Sequence, residues 1–351
     1  MTKFQKIISE KNLSLIICIL FFLSYIIWLF LFRNFLSSKL ALTGDAVAYY
    51  EHFFFFVENI NRGVFPLWEA NRDHGFSIEF FLRRIGEFNP FLLIALFYYK
   101  FGFPMKSAYM AYLIVYYLTG MGGFYLVAKR ILGNKETAFA AYLLLLFSSL
   151  GTRIFDAYLH LMFVPMVWFF FFFGAFTERP QKYALLGMTF TLMITLTTYI
   201  PFYFVIIVLS FLILYGILYP RESKINILRY WQFFKENKLF ASGCFFMLLV
   251  SFLPGIMLQQ ETSQGTLSMP LRHVDSPDPN VLTVNVDKVG EGGIILPVIW
   301  SRLFSGLHEF DLGVFYIPIF AYLLLLTGLI TRLNKRLALL MLWGFFFLLI
   351  F

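Results

Sequence analysis

Charge is scarce in this chain. Asp, Glu, Lys and Arg make up 14% of its 351 residues, and the runs 137–151, 161–177, 183–199 and 239–258 hold none of them. An acid or base at membrane depth costs at least about 2.5–3.5 kcal/mol and is kept for ion or proton pathways. Its absence weighs against an ion-coupled transporter. Cysteine is scarce too. Cys18 and Cys244 both fall inside apolar runs, give no disulfide framework or CxxC spacing, and read as small buried apolar residues. There is no GxxxxGK loop, no HExxH and no GxSxG, which removes the P-loop, zincin and serine-elbow classes. No internal repeat is visible.

What the chain has is apolar side chain. It is 60% hydrophobic and 21% aromatic, with 48 Phe, and its mean hydropathy is +0.76. A soluble domain has too little interior to hide so much, so the composition predicts an all-α polytopic membrane protein. A spanning helix needs about 20 apolar residues to cross a core of about 30 Å. By that measure spans fall near 13–32, 107–128, 137–151, 161–177, 183–199, 201–219, 239–258, 313–331 and 337–351, about nine transmembrane helices. The run 91–99 is too short to cross and reads as a re-entrant or interfacial piece. Lys3, Lys6 and Lys11 precede the first run, which is too long for a signal-peptide core and has no cleavage site, so it reads as an uncleaved span. The last run, 337–351, stops in mid-apolar sequence, as in a piece of a longer protein.

Basic residues set the orientation. With the N-terminus inside, sixteen of the twenty-eight Lys and Arg fall in the shorter inner segments, offset there only by Glu10, Glu136, Glu178, Glu222 and Glu236. This obeys the positive-inside rule and accounts for the net charge of +8 by topology, without a nucleic-acid surface. One inner segment, 221–238, has the pattern of an interfacial helix with basic residues near lipid headgroups. Two segments, 33–89 and 259–312, are too long and polar for turns. They are the expected extracytoplasmic loops, and so the expected working face.

The first outer loop contains LTGDAVAYYEHFFFFVENINR at 42–62, helical by pattern from residue 45 to 60. On a helix, Asp45, Tyr49, His52 and Asn59 share one face while Phe53, Phe54 and Val57 look elsewhere. That predicts an interfacial helix with a polar strip turned to substrate. Gly63, Pro66 and Gly75 then break the chain, 77–84 reads as a short helix, and Asn89-Pro90 marks the return to the membrane. In the second outer loop, DSPDPN reads as a turn and 281–289 as a short strand.

The candidate chemistry lies at the outer ends of the spans. Asp45 suits both a helix start and a general base, and the two roles are compatible. Glu51 and His52 read as a second acidic site or as solvated surface groups. Glu58 with Arg62 reads as i,i+4 helix support. Glu69, Asp73 and His74 read as a metal or substrate site or as a polar loop. Arg153, Asp156 and His160, in GTRIFDAYLH, recur at helical spacing and read as a site or as interfacial anchors. Arg272, His273, Arg302 and His308 are candidate phosphate binders. The Phe runs 53–56 and 169–173 read as lipid or core packing.

The layout resembles the GT-C class of integral membrane glycosyltransferases. The residues that carry the resemblance are GDAVAYY just after the first span, G-x-x-P-L-W at 63–68, Gly75, Asn89-Pro90-Phe91, FDAYLHLMFVPMVW and HEFDLGVFYIPIFAYLLLL. Within the class the chain is most similar to the bacterial YfhO-like branch, though shorter. The resemblance implies one GT-C-like transmembrane domain over 1–351, in the cell membrane, that moves a sugar from a polyprenyl-phosphate donor to a cell-envelope acceptor. It implies that Asp45, the acid of the first outer loop, acts on the acceptor. Beside it, the residue chemistry offers Glu51, His52, Asp156 and His160 as candidate acidic or substrate partners, and Arg153, Arg272, Arg302 and His308 as candidate binders of the donor phosphate. The chain departs from many relatives in having Ala46 where a second acid would stand. Glu51 is the candidate substitute, and a divalent metal stays open as cofactor. The rival readings are a flippase for lipid-linked glycans and a non-enzymatic assembly subunit of a cell-envelope complex.

Overall fold

A computed structural model describes residues 3–31, 45–64, 68–69, 76–77, 89–147, 157–198 and 201–264. The chain forms two compact units, Met1–Ser251 and Phe252–Phe351; the second is described only up to Gln264. The described elements are α1 (Lys3–Leu31), α2 (Asp45–Asn61), β1 (Trp68–Glu69), β2 (Phe76–Ser77), α3 (Leu92–Lys100), α4 (Met105–Leu132), α5 (Lys135–Leu146), α6 (Ala157–Glu178), α7 (Lys182–Leu196), α8 (Pro201–Leu218), α9 (Pro220–Glu236) and α10 (Lys238–Gln264). Apart from the two-residue antiparallel pair β1–β2, in which Trp68 faces Ser77, the described fold is all-helical.

Among the described residues, three helices are long and apolar enough to cross a membrane: Leu13–Leu31 of α1, α4, and Leu161–Glu178 of α6. The bent pair α8 and α9 makes a fourth if it is one span. The expected crossings at 137–151 and 183–199 are shorter than expected. At about 1.5 Å per residue, the 12 residues of α5 and the 15 of α7 fall short of the roughly 30 Å core. At the end of α7 the cause is local. The hydroxyls of Thr195, Thr197 and Thr198 donate to carbonyls three or four residues back, and Pro201 follows, so the chain loses helical continuation. The expected spans at 313–331 and 337–351 and the strand at 281–289 lie outside the described residues. So does most of the short helix expected at 77–84, and its first residue, Ser77, belongs to β2.

The packing inverts the rule for soluble helices. On α1, Ser24, Tyr25 and Trp28 are buried, whereas Leu15, Ile16, Ile19, Leu23, Ile26 and Phe30 are exposed. Where lipid is the solvent, aliphatic side chains gain nothing by leaving it, so polar and aromatic groups with hydrogen bonds to make go inward. The Tyr25 hydroxyl donates to the Ile114 carbonyl at 2.7 Å, joining α1 to α4. Ser24 Oγ donates to the Tyr142 hydroxyl at 3.1 Å, joining α1 to α5. Trp28 stacks on Tyr25 and tilts against Tyr117, with centroids 5.4 and 5.2 Å apart.

Helices α4, α6 and α7 pack in series, and α4 with α5 forms a tight hairpin. Gly133 ends α4 in the left-handed conformation at φ 71°. Asn134 then caps α5, its Oδ1 accepting from the Glu136 and Thr137 amides. Gly120 brings α4 against α6, where a Cβ would stand 2.7 Å from Val164 Cγ2. Trp168 Nε1 crosses the same contact to the Thr119 carbonyl at 3.1 Å.

Candidate functional site

Helix α2 is the platform of the candidate site. It begins at Asp45 and touches α3, α4 and α6. Its inner face carries Tyr49, His52, Phe53 and Val57, all buried; Glu51, Phe54, Asn61 and Arg62 are exposed on the other side. Phe53 packs edge-on to Tyr109 of α4 at 4.7 Å between centroids and stacks on Tyr112 at 5.5 Å. This corrects the expected polar strip. Tyr49 and His52 share their face with Phe53 and Val57, and His52 is 0% exposed, so that face is a packing face. An imidazole and a phenol suit such an interface because each offers a flat apolar ring with a polar edge.

The outer side of α2 holds a polar cluster. Arg62 Nη2 donates to Glu58 Oε1 at 2.5 Å, as the i,i+4 spacing predicts. The second carboxylate oxygen accepts from the Tyr99 hydroxyl on α3. The Tyr99 bond, with Arg62 adding to it and partial desolvation opposing, holds the Glu58 carboxyl below the usual range. The same bond pushes the Tyr99 phenol up. Burial raises Tyr50, whose ring meets Tyr109 at 5.3 Å.

Behind α3, Asn89 joins the return loop to the bundle. It is buried; its Nδ2 donates to the Tyr112 hydroxyl at 2.9 Å, and its Oδ1 accepts from the Phe91 amide at 3.1 Å. The nine-residue α3 is too short to cross a membrane, as its sequence predicts, and exposes Leu93, Phe97 and Tyr98.

Some of the predicted site residues fall on described elements, and two of those elements, α2 and α6, touch. Asp45 is the first residue of α2, where the positive helix end favours a carboxylate. Glu51 is exposed and His52 is buried on the same helix. His160 lies in the first turn of α6, a helix that touches α2. Glu69 belongs to β1. Arg153, Asp156, Asp73, His74, Arg272, His273, Arg302 and His308 lie outside the described residues. No group of three or more His, Cys, Asp or Glu that could hold a metal ion occurs among the described residues.

Two features of this region escape the sequence reading. The Glu58–Tyr99 bond joins residues 41 apart, and Asn89–Tyr112 joins residues 23 apart. For the second there is a signal: Tyr109, Tyr112 and Tyr116 recur at i, i+3 and i+7 in YMAYLIVYY, a polar-aromatic stripe on a helix that otherwise has lipid to face.

Comparison with protein-family models, with curated proteins and with solved structures gives no match for this chain.

Proposed function

We propose that the chain is a GT-C-like membrane glycosyltransferase working on the extracytoplasmic face of the cell membrane. In this reading the chain is polytopic with the N-terminus cytoplasmic, and the expected count of about nine spans includes the short helices α5 and α7. The observation that carries the proposal is the setting of Asp45. It starts a helix that packs on α3 and α4 and touches α6, the helix whose first turn holds His160. An acid and an imidazole thus fall in the first turns of two helices that touch, each in a segment that the charge pattern assigns to the outer face.

The chemistry follows from the compartment. No nucleotide-sugar pool exists outside the cell, so an activated sugar arrives on a membrane lipid such as a polyprenyl phosphate. Asp45 takes the proton of an acceptor hydroxyl as its oxygen attacks the anomeric carbon. The bond from that carbon to the lipid phosphate breaks, and its electron pair leaves on the phosphate oxygen. The configuration inverts in this single displacement. A phosphate leaving group needs cations more than a general acid; Arg153, Arg272, Arg302 and His308 are the proposed source, with Glu51, His160 and Asp156 about the acceptor. His52, being buried, is a packing residue in this account.

The test gives purified protein a panel of radiolabelled polyprenyl-phosphate sugars and a crude membrane acceptor extract. The expected result is label in the acceptor, linked with inverted anomeric configuration. Movement of lipid-linked glycan across proteoliposomes without any transfer would instead favour a flippase.

A further inference from the structure

The other end of the bundle holds a cleft of about 430 Å³, lined by Arg130, Ala175, Glu178, Arg179, Gln181 and Tyr183. Arg130 stands 18 residues beyond Tyr112 on α4, roughly 27 Å along the axis at 1.5 Å per residue. The cleft is therefore remote from α2 and independent of the transferase reading. It lies where two candidate spans end, α4 at Leu132 and α6 at Glu178.

We propose that this cleft binds the phosphate of an anionic lipid headgroup. Arg130 is fixed in its wall. Its Nη1 donates to the Phe171 carbonyl at 2.7 Å, its guanidinium lies 5.0 Å from the Phe171 ring centre, and its Nε sits 3.4 Å from Glu178. Gly174 makes the space, since a Cβ there would stand 3.0 Å from Arg130 Cδ. Arg179 is exposed and makes no side-chain ion pair or hydrogen bond among the described residues. Two guanidiniums against one carboxylate leave the cleft positive, and a planar guanidinium matches phosphate oxygens in pairs.

The helix that opens on the cleft adds to this. α7 starts at Lys182 after Gln181 with no side-chain cap; the Ala184 and Leu185 amides donate to the Gln181 carbonyl, which leaves those of Lys182 and Tyr183 at the positive helix end beside the cleft. Arg229 of α9 approaches from the side, its Nη1 on the Thr177 carbonyl at 3.0 Å.

Depth selects a lipid over a soluble anion. The chain bends by 118° between α8 and α9. Beside the cleft, α9 exposes Ile227, Leu228 and Trp231. Lys224 and Lys235 flank them, and the Lys235 ammonium lies 5.4 Å from the Trp231 ring centre. Apolar side chains mixed with snorkelling lysines suit the headgroup boundary. A cleft beside such a helix meets phosphodiesters already held in the leaflet.

The test titrates the full chain, in neutral detergent micelles, with phosphatidylglycerol, phosphatidylcholine and inorganic phosphate while following Tm. Phosphatidylglycerol is expected to raise Tm; the other two are not. Arg179→Gln should keep the lipid-free Tm, its side chain being exposed, yet need about tenfold more phosphatidylglycerol for half the shift. Arg221→Gln on α9 should behave as wild type. Equal shifts from phosphatidylcholine, or an undiminished shift in Arg179→Gln, overturn the proposal. A loss in Arg221→Gln as large as in Arg179→Gln means diffuse surface charge and also overturns it. Inorganic phosphate matching the lipid assigns the cleft to a soluble anion and overturns the lipid assignment.

Discussion

The Tyr99 hydroxyl donates to the Glu58 carboxylate and ties the short α3 to the outer side of α2. The bond lowers the carboxyl and raises the phenol relative to their ordinary values. A depressed carboxyl stabilises above its unfolded value, about 4.3, and that contribution is lost as pH falls through the folded value. A raised phenol stabilises below its unfolded value, about 10, and that contribution is lost as pH rises through the folded one. The tie is therefore expected to be constant from about pH 5 to pH 9 and to weaken on either side. Tyr99→Phe should remove most of both limbs from a plot of Tm against pH. Its cost at neutral pH should be only on the order of 0.5–1 kcal/mol, because water screens the site. Unchanged limbs in that variant would contradict the assignment.

Asn89 does two jobs from a buried position, donating to Tyr112 and accepting from the Phe91 amide. Asn89→Ala leaves both partners without it. The expected loss is about 1–3 kcal/mol, read as earlier thermal unfolding and faster amide exchange in α3. Tyr112→Phe should show a smaller loss in the same assay, since it leaves the Phe91 bond intact.

Two glycines two residues apart give a matched pair. A Cβ at Gly120 meets Val164 at 2.7 Å; one at Gly122 meets nothing within 4 Å. Gly120→Ala should destabilise the α4–α6 contact by about 1–3 kcal/mol. Gly122→Ala should be neutral or slightly stabilising through helix propensity. Equal effects on Tm would mean that α4 and α6 do not approach as described.

Leu228 tests the setting of α9. With a cysteine placed there and labelled with a fluorophore, lipid-borne quenchers near the glycerol level should quench strongly. Quenchers deep in the acyl chains or confined to water should quench weakly. Strong quenching only from water would remove α9 from the membrane surface.

How much of this the sequence discloses depends on which physical signal each element carries. Helices α1, α4 and α6 are visible as apolar runs because lipid imposes length and hydropathy on any span. α9 is visible because its apolar and basic residues alternate at helical spacing. The inner face of α2 is misread for a physical reason. Tyr49 and His52 look like a wet strip when apolar means inside, but in a membrane bundle polar-aromatic groups are what the interior collects. The Arg62–Glu58 pair is legible from spacing alone, whereas Tyr99 is folded onto it from 41 residues away, and no local pattern encodes that contact. The early end of α7 is legible only in hindsight, from three threonines that turn their hydroxyls back on their own helix.

Asp45 is the proposed base of a sugar transfer. The most direct measurement compares wild type with Asp45→Asn in the polyprenyl-phosphate-sugar transfer assay, on protein matched for Tm and for expression. Labelled acceptor is expected from wild type, with a loss of about 100-fold or more from Asp45→Asn, the range for removing a general base. Equal transfer by the two proteins would contradict it and leave Asp45 as the start of a helix.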